Sequence, residues 1–210
     1  MTILTTLLYE GLKRERIPLY LRWIRHYTEL RDTLKWDRMV FIDNASSVET
    51  ILAITDAAPE ADTIHYAKRY ERVSMHVYPY CWRAMQTAQA FRKMYRADRI
   101  YGIDPDCYIL SRKCAEELAA LRNGWYSLWS GIHAFPAIEC TVVHGTGLDA
   151  FERFEVPNWH NDKPMENMVP ATPVKHFRGD RYGEMGIADI DPSWDFVAQL
   201  DRMDLTPVIH

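Results

Sequence analysis

Asp104 and Asp106 stand two residues apart in the run Arg99-Ile-Tyr-Gly-Ile-Asp104-Pro-Asp106-Cys-Tyr-Ile-Leu-Ser111. In an extended segment both side chains project to the same side. Pro105 between them cannot donate to a ladder, which places the segment at a strand terminus or a sheet edge. Two carboxylates about 6 to 7 Å apart repel by roughly 2 to 3 kcal/mol at an effective dielectric near 20. A divalent cation turns that repulsion into binding energy. Hard oxygen ligands with room for waters and phosphate oxygens suit Mg2+ or Mn2+. Without a cation, the same residues make a solvated turn, because Asp and Pro both favour turns.

Other chemistries lack their residues. The eight histidines form no HExxH, and there is no Gly-x-Ser-x-Gly elbow, P-loop or GxGxxG. Cys81, Cys107, Cys114 and Cys140 form no CxxC, so they read as idle or buried thiols of a reducing, cytoplasmic compartment. Asn44-Ala45-Ser46 fits a glycosylation sequon, which such a compartment leaves unmodified.

Elements must bring the two aspartates to one place. Residues 2–9 (TILTTLLY) are β-branched and apolar enough for a buried strand. Pro18 opens a helix whose Tyr20, Trp23, Ile24 and Tyr27 share one face, with Arg22, Arg25 and Glu29 on the wet side. Residues 38–42 form a second apolar run, stopped by Asp43-Asn44-Ala45-Ser46-Ser47, a turn-and-cap composition. Val48 to Ala58 reads as a helix and Thr63 to Tyr66 as a short strand. From Pro79 to Arg96, Cys81, Ala84, Met85, Ala88, Phe91 and Tyr95 line one helical face. Ile100 to Ile103 is then a strand running into the aspartates. Ser111 caps a helix over Arg112 to Leu121 with Gly124 just past its end, and Ile138 to Val143 is a strand. Asn158 to Arg178 reads as loop, and the last thirty or so residues have no strong period. Strands alternating with helices predict an α/β fold, a mostly parallel sheet with helices on both faces. In open sheets of this kind, ligands bind at the carboxyl ends of the strands.

The 210 residues are 48% hydrophobic and 26% charged, with a formal net charge of -4, the composition of a soluble globular protein. One compact domain over 1–210 accommodates them. The balance argues against a general nucleic-acid binder, which clusters basic residues. Thr2 to Tyr9 is too short for a membrane span and lacks the flanks of a signal peptide. Peripheral membrane association stays open.

The Asp-x-Asp segment resembles the signature of GT-A fold (nucleotide-diphospho-sugar) glycosyltransferases, where an apolar strand ends in the motif that holds a metal-bound donor. Phe41-Ile42-Asp43-Asn44-Ala45-Ser46-Ser47 is similar to the nucleotide-binding turn of that family. The resemblance covers about residues 2–125 and implies a Rossmann-like GT-A fold, with 1–125 as the donor-binding half and 126–210 as the acceptor side. Position by position, it implies that Asp43 contacts the nucleotide base and that Asn44 and Ser46 border its pocket. It further implies that Asp104 touches the ribose or a metal-bound water and that Asp106 ligates Mn2+ or Mg2+ directly. The family often adds a C-terminal ligand or phosphate clamp, for which His176, Arg178 and Arg181 are the candidates. Arg83 could reach a diphosphate, and Glu139, then Asp149, are candidates for the base acting on the acceptor. Trp125 and Trp129, before Gly131-Ile132-His133, could stack on an acceptor sugar or simply pack into the core.

The implied activity is metal-dependent transfer of a sugar to an acceptor hydroxyl, in surface polysaccharide or glycoconjugate synthesis. Two alternatives remain. A nucleotidyltransferase of the same fold needs a Gly-rich basic loop after the first strand, and Tyr9-Glu10-Gly11-Leu12 has one glycine. A catalytically silent nucleotide- or partner-binding module needs no base at all.

Overall fold

The computed structural model describes residues 1–10, 16–73, 79–128, 137–156, 168–181 and 189–210. Its centre is a seven-stranded sheet in the order β3-β2-β1-β4-β7-β6-β8. Four strands, β1 (Thr2–Leu8), β2 (Arg38–Asp43), β3 (Asp62–His65) and β4 (Arg99–Ile103), run parallel. Next to them, β7 (Ala137–His144) is the one reversed strand of the sheet, antiparallel to both β4 and β6 (Gly124–Leu128). The edge strand β8 (Thr172–Val174) is parallel to β6. The mixed α/β class with a mostly parallel sheet is the one the sequence predicts.

Alternation along β1 explains the two-sided core. Leu4 and Leu8 join the cluster of α1 (Ile17–Glu29), α2 (Arg31–Leu34), α3 (Val48–Ala57) and α5 (Arg112–Ala120). Ile3 joins the opposite cluster with α4 (Pro79–Tyr95) and α6 (Thr146–Arg153). The predicted face of α1 is buried through Tyr20, Trp23, Ile24 and Tyr27, and Ser111 caps α5 by accepting from Cys114 N at 3.0 Å. β1, β2 and β3 follow one another outward, with their connecting helices on one face. The chain then crosses back on the other face through α4 to place β4 on the far side of β1. That reversal is the topological switch point, the site of the ligand crevice in open α/β sheets.

Several readings need correction. Gly124 opens β6 instead of ending a helix, and the left-handed residue before it is Asn123 (φ 53°). β8 falls inside the stretch read as loop. Arg22 is not on a wet face: it donates to the carbonyls of Leu200, Arg202 and Leu205 and to Tyr108 Oη. It thereby fastens the C-terminal segment, whose β10 (Phe196–Ala198) lies between β5 (Tyr108–Ile109) and β9 (Gly179–Arg181) in a second sheet. Among the described residues, no helix is long and apolar enough to cross a membrane.

Candidate active site

The aspartates arrive at the switch point by a different local geometry from the extended one expected. β4 stops at Ile103, and Asp104-Pro105-Asp106-Cys107 closes a turn through Cys107 N donating to Asp104 O at 3.0 Å. Proline is favoured at the second position of such a turn as much as at a strand end, which is why sequence alone could not separate the two. The turn is clamped on both sides. Asp104 N donates to the Glu139 carbonyl of β7 at 2.8 Å, and Leu200 N donates to the Asp106 carbonyl at 2.8 Å.

Negative charge accumulates here. Glu139 is buried beside the turn, where Gln199 Nε2 donates to its Oε1 at 3.2 Å. Burial pushes the Asp106 carboxyl up to about 6; Arg16 pulls against this, while Glu139 and Asp201 add to it. The buried Cys107 thiol is held protonated by its hydrogen bond with Cys140 and by burial, so it offers no nucleophile.

Across the crevice, Tyr9 at the end of β1 stacks on Tyr80 of α4, with ring centroids 4.3 Å apart and planes within 5°. Arg16 stands 5.7 Å over the Tyr9 ring, and Tyr9 Oη donates to Glu71 at 2.8 Å. Burial pushes the Tyr80 hydroxyl up; neighbouring acidic groups, Asp104 among them, add to this, and Arg72 opposes it. Tyr9, Arg16 and Tyr80 were not singled out from the sequence, where nothing but position at a strand or helix end marks them.

Residues of the Asp43 turn are committed to structure. The buried Asp43 carboxylate accepts from Ser46 N at 3.0 Å and pairs with His65 Nδ1 at 3.1 Å. Asn44 accepts from Tyr70 N at 2.9 Å and donates to Tyr70 O at 2.7 Å, tying the turn to the segment after β3. Ser46 sits in the turn with its hydroxyl buried. Glu10, which sequence reasoning passed over, fills the N-terminus of α3: its carboxylate accepts from Ser47 N and Oγ, from Thr50 Oγ1 and from Arg69. Burial alone would raise its pKa, yet those hydrogen bonds and the Arg69 charge bring it below the usual value. An anion site at that helix start is thus already occupied from within.

Remaining candidates separate by position. Arg83 lies on α4, bonded to Gln86 Oε1 at 3.3 Å with its guanidinium 5.8 Å from the Tyr66 ring centre. His176 Nε2 meets Glu117 Oε2 of α5 at 2.6 Å, away from the aspartate turn. The exposed Arg178 meets Asp195 through its backbone at the start of β9, the end away from Leu200 and the turn. Asp149 is exposed on α6, which follows β7 at the opposite end of the sheet from Asp104. Trp125 is core, packed edge-on against Phe151 and Phe154 at 5.1 and 5.6 Å. The side chain of Arg181, and Trp129 and His133 entirely, lie outside the described residues.

The donor set bears on the metal. Among the described residues, no three His, Cys, Asp or Glu side chains converge to hold an ion. Mg2+ commonly needs no such cage, since one or two carboxylates plus substrate phosphates complete its shell. The carboxylates of Asp104 and Asp106 are of the donor type such an ion takes, whereas His176 is paired with Glu117.

No protein-family model matches the sequence, and no curated protein matches it. Among solved structures, a glycosyltransferase involved in the glycosylation of the major capsid of PBCV-1 is 10% identical over 96% of this chain and 93% of its own, with a TM-score of 0.49. A mannosyltransferase from Pyrobaculum calidifontis, in complex with GDP-Man and Mn2+, is 17% identical over 77% of this chain and 49% of its own, with a TM-score of 0.49. A nucleotidyl transferase from Methanothermobacter is 11% identical over 80% of this chain and 79% of its own, with a TM-score of 0.48. These scores lie below 0.5, so the functional reading is built on the site itself.

Proposed function

We propose that this chain is a glycosyltransferase of the GT-A kind, moving a sugar from a nucleotide-diphosphate donor to an acceptor hydroxyl. The observation that carries the reading is the Asp104-Pro105-Asp106 turn at the switch point, with buried Glu139 against it. Asp104 and Asp106 would hold Mg2+ or Mn2+ together with the donor diphosphate. Bound there, the ion supplies positive charge to the leaving diphosphate. The Tyr9–Tyr80 pair and Arg16 form the wall for the nucleoside, a role that Asp43 and Asn44, spent on their own turn, leave open. Glu139 is the carboxylate we assign to receive the acceptor proton. The acceptor oxygen bonds to the anomeric carbon, and the bond from that carbon to the diphosphate breaks with its electron pair leaving on the diphosphate. Gln199 orients Glu139.

A thermal-shift panel of UDP, GDP, CDP and dTDP, with and without Mn2+, tests the donor site. A nucleotide at a hundred times its dissociation constant should raise the midpoint by roughly 5 to 10 °C. The gain should need Mn2+ and vanish in Asp106→Ala. An unchanged shift in that variant removes the proposed metal site. One observation favours a second reading, a nucleotide-binding module without transfer: Glu139 is only 5% exposed and already hydrogen-bonded. Nucleotide binding without donor hydrolysis in acceptor extracts would decide for it.

A further inference from the structure

Under α4 the core is incompletely filled. Small residues face each other there: Ala84 and Ala88 on the helix, and Thr5, Gly102 and Thr141 on β1, β4 and β7. They leave a partly open pocket of about 120 Å³ that Asp104 also lines. Gly102 keeps its floor low, since a Cβ there would come within 2.9 Å of Thr141 Oγ1. Three of its buried lining residues carry a polar atom with no hydrogen-bond partner among the described residues, Thr5 Oγ1, Thr6 Oγ1 and Trp125 Nε1. A buried hydroxyl or indole N–H left unbonded carries the cost of its desolvation, so a ligand that pairs with one gains from it.

We propose that this cavity is the pocket for the apolar body of the acceptor, a small amphipathic alcohol. The acceptor role, though not the pocket, rests on the glycosyltransferase reading above. An apolar cavity of about 150 Å³ accepts benzene, so the space here suits a group of that size or slightly smaller. The mainly apolar lining disfavours a pyranose, which is polar at almost every carbon. An aryl or branched alkyl group fits the walls with its hydroxyl against Thr5 Oγ1, whose strand partner Gly102 stands two residues before Asp104, towards where the donor is expected.

The test uses benzyl alcohol and toluene as probes on the whole chain, without nucleotide. Benzyl alcohol at ten times its dissociation constant should raise the unfolding midpoint by about 3 to 6 °C. Ala88→Leu, which fills the space, should abolish that shift while keeping the basal midpoint. Should Ala88→Leu fold poorly, Thr5→Val gives the second reading: it should erase the preference for benzyl alcohol over toluene. The absence of a saturable shift, or one that survives both substitutions, overturns the pocket. Alcohol binding that persists when every nucleotide fails would keep the pocket and remove the transferase reading. The reverse result would remove the pocket and keep the transferase.

Discussion

His26 illustrates how a residue marked by its type can serve the fold. It is buried between Tyr27 and Tyr108, each ring edge-on at 5.1 Å, and its Nε2–H donates to the Ile109 carbonyl at 2.8 Å. Burial lowers its pKa to about 4; the carbonyl opposes this, and the Arg22 charge adds to it. The unfolded chain regains the ordinary value near 6.5 and takes up a proton that the native state refuses. Stability is therefore unaffected above about pH 6.5 and falls as the pH drops from there towards 4. The loss from this one group amounts to about 3 kcal/mol. Urea unfolding of the wild type and of His26→Gln from pH 7.5 to 4 should show the two profiles converging by that amount. Parallel profiles would refute a neutral His26. Asp43, Asn44 and Glu10 teach the same lesson, since a carboxylate or amide at a strand end closes turns and caps helices as readily as it binds ligands. Residue type marked the Asp104–Asp106 pair as a candidate; the partners that occupy Asp43, Asn44 and Glu10 could not be read from type alone.

At the scale of elements, the first half of the chain was readable because its periods are clean. β1 and β2 are continuous apolar runs, α1 and α4 repeat apolar residues at about 3.6 and open on Pro18 and Pro79, and Ser47 caps α3. β6 was not readable, because Ser127 is buried at 1% exposure and hides the alternation of Gly-Trp-Tyr-Ser-Leu. α6 carries two glycines, which disfavour a helix in sequence; Gly145 is a turn residue at φ 56° before it and Gly147 a close contact within it. A Cβ on Gly147 would fall on the Gly124 carbonyl, so the helix touches β6 backbone to backbone. Gly147→Ala must therefore push α6 outward despite alanine's better helix propensity. The expected cost is about 1 to 3 kcal/mol in denaturant unfolding. A gain of stability in that variant would disprove the close approach. Because Phe151 of α6 packs on Trp125, the near-ultraviolet dichroism of the tryptophan should change as well.

Across the whole molecule, the weakly patterned C-terminal segment is what completes the site, and one side chain far away in sequence holds it. Residues 189–210 supply β10, Gln199 against Glu139, and Leu200 N to the Asp106 carbonyl. Their end is pinned by a reciprocal pair, Arg112 N to His210 O at 2.9 Å and His210 N to Leu110 O at 2.8 Å. Between these points the backbone turns with few ladder bonds, and Arg22 of α1 satisfies three of its carbonyls. Charged donors to carbonyls are worth about 1.5 to 3 kcal/mol each when buried, and partial exposure reduces the sum. Arg22→Ala should thus cost about 2 to 4 kcal/mol locally, without touching the central sheet. Hydrogen exchange would resolve the difference. Protection of the Leu200 and His210 amides should fall while that of Leu4 and Val40 in β1 and β2 holds. A uniform fall would mean that Arg22 stabilises the fold as a whole; no fall would mean that the segment holds itself. If the local result is obtained, the Mn2+-dependent nucleotide shift should shrink with it, since the carbonyl of Asp106 then loses its fixed partner.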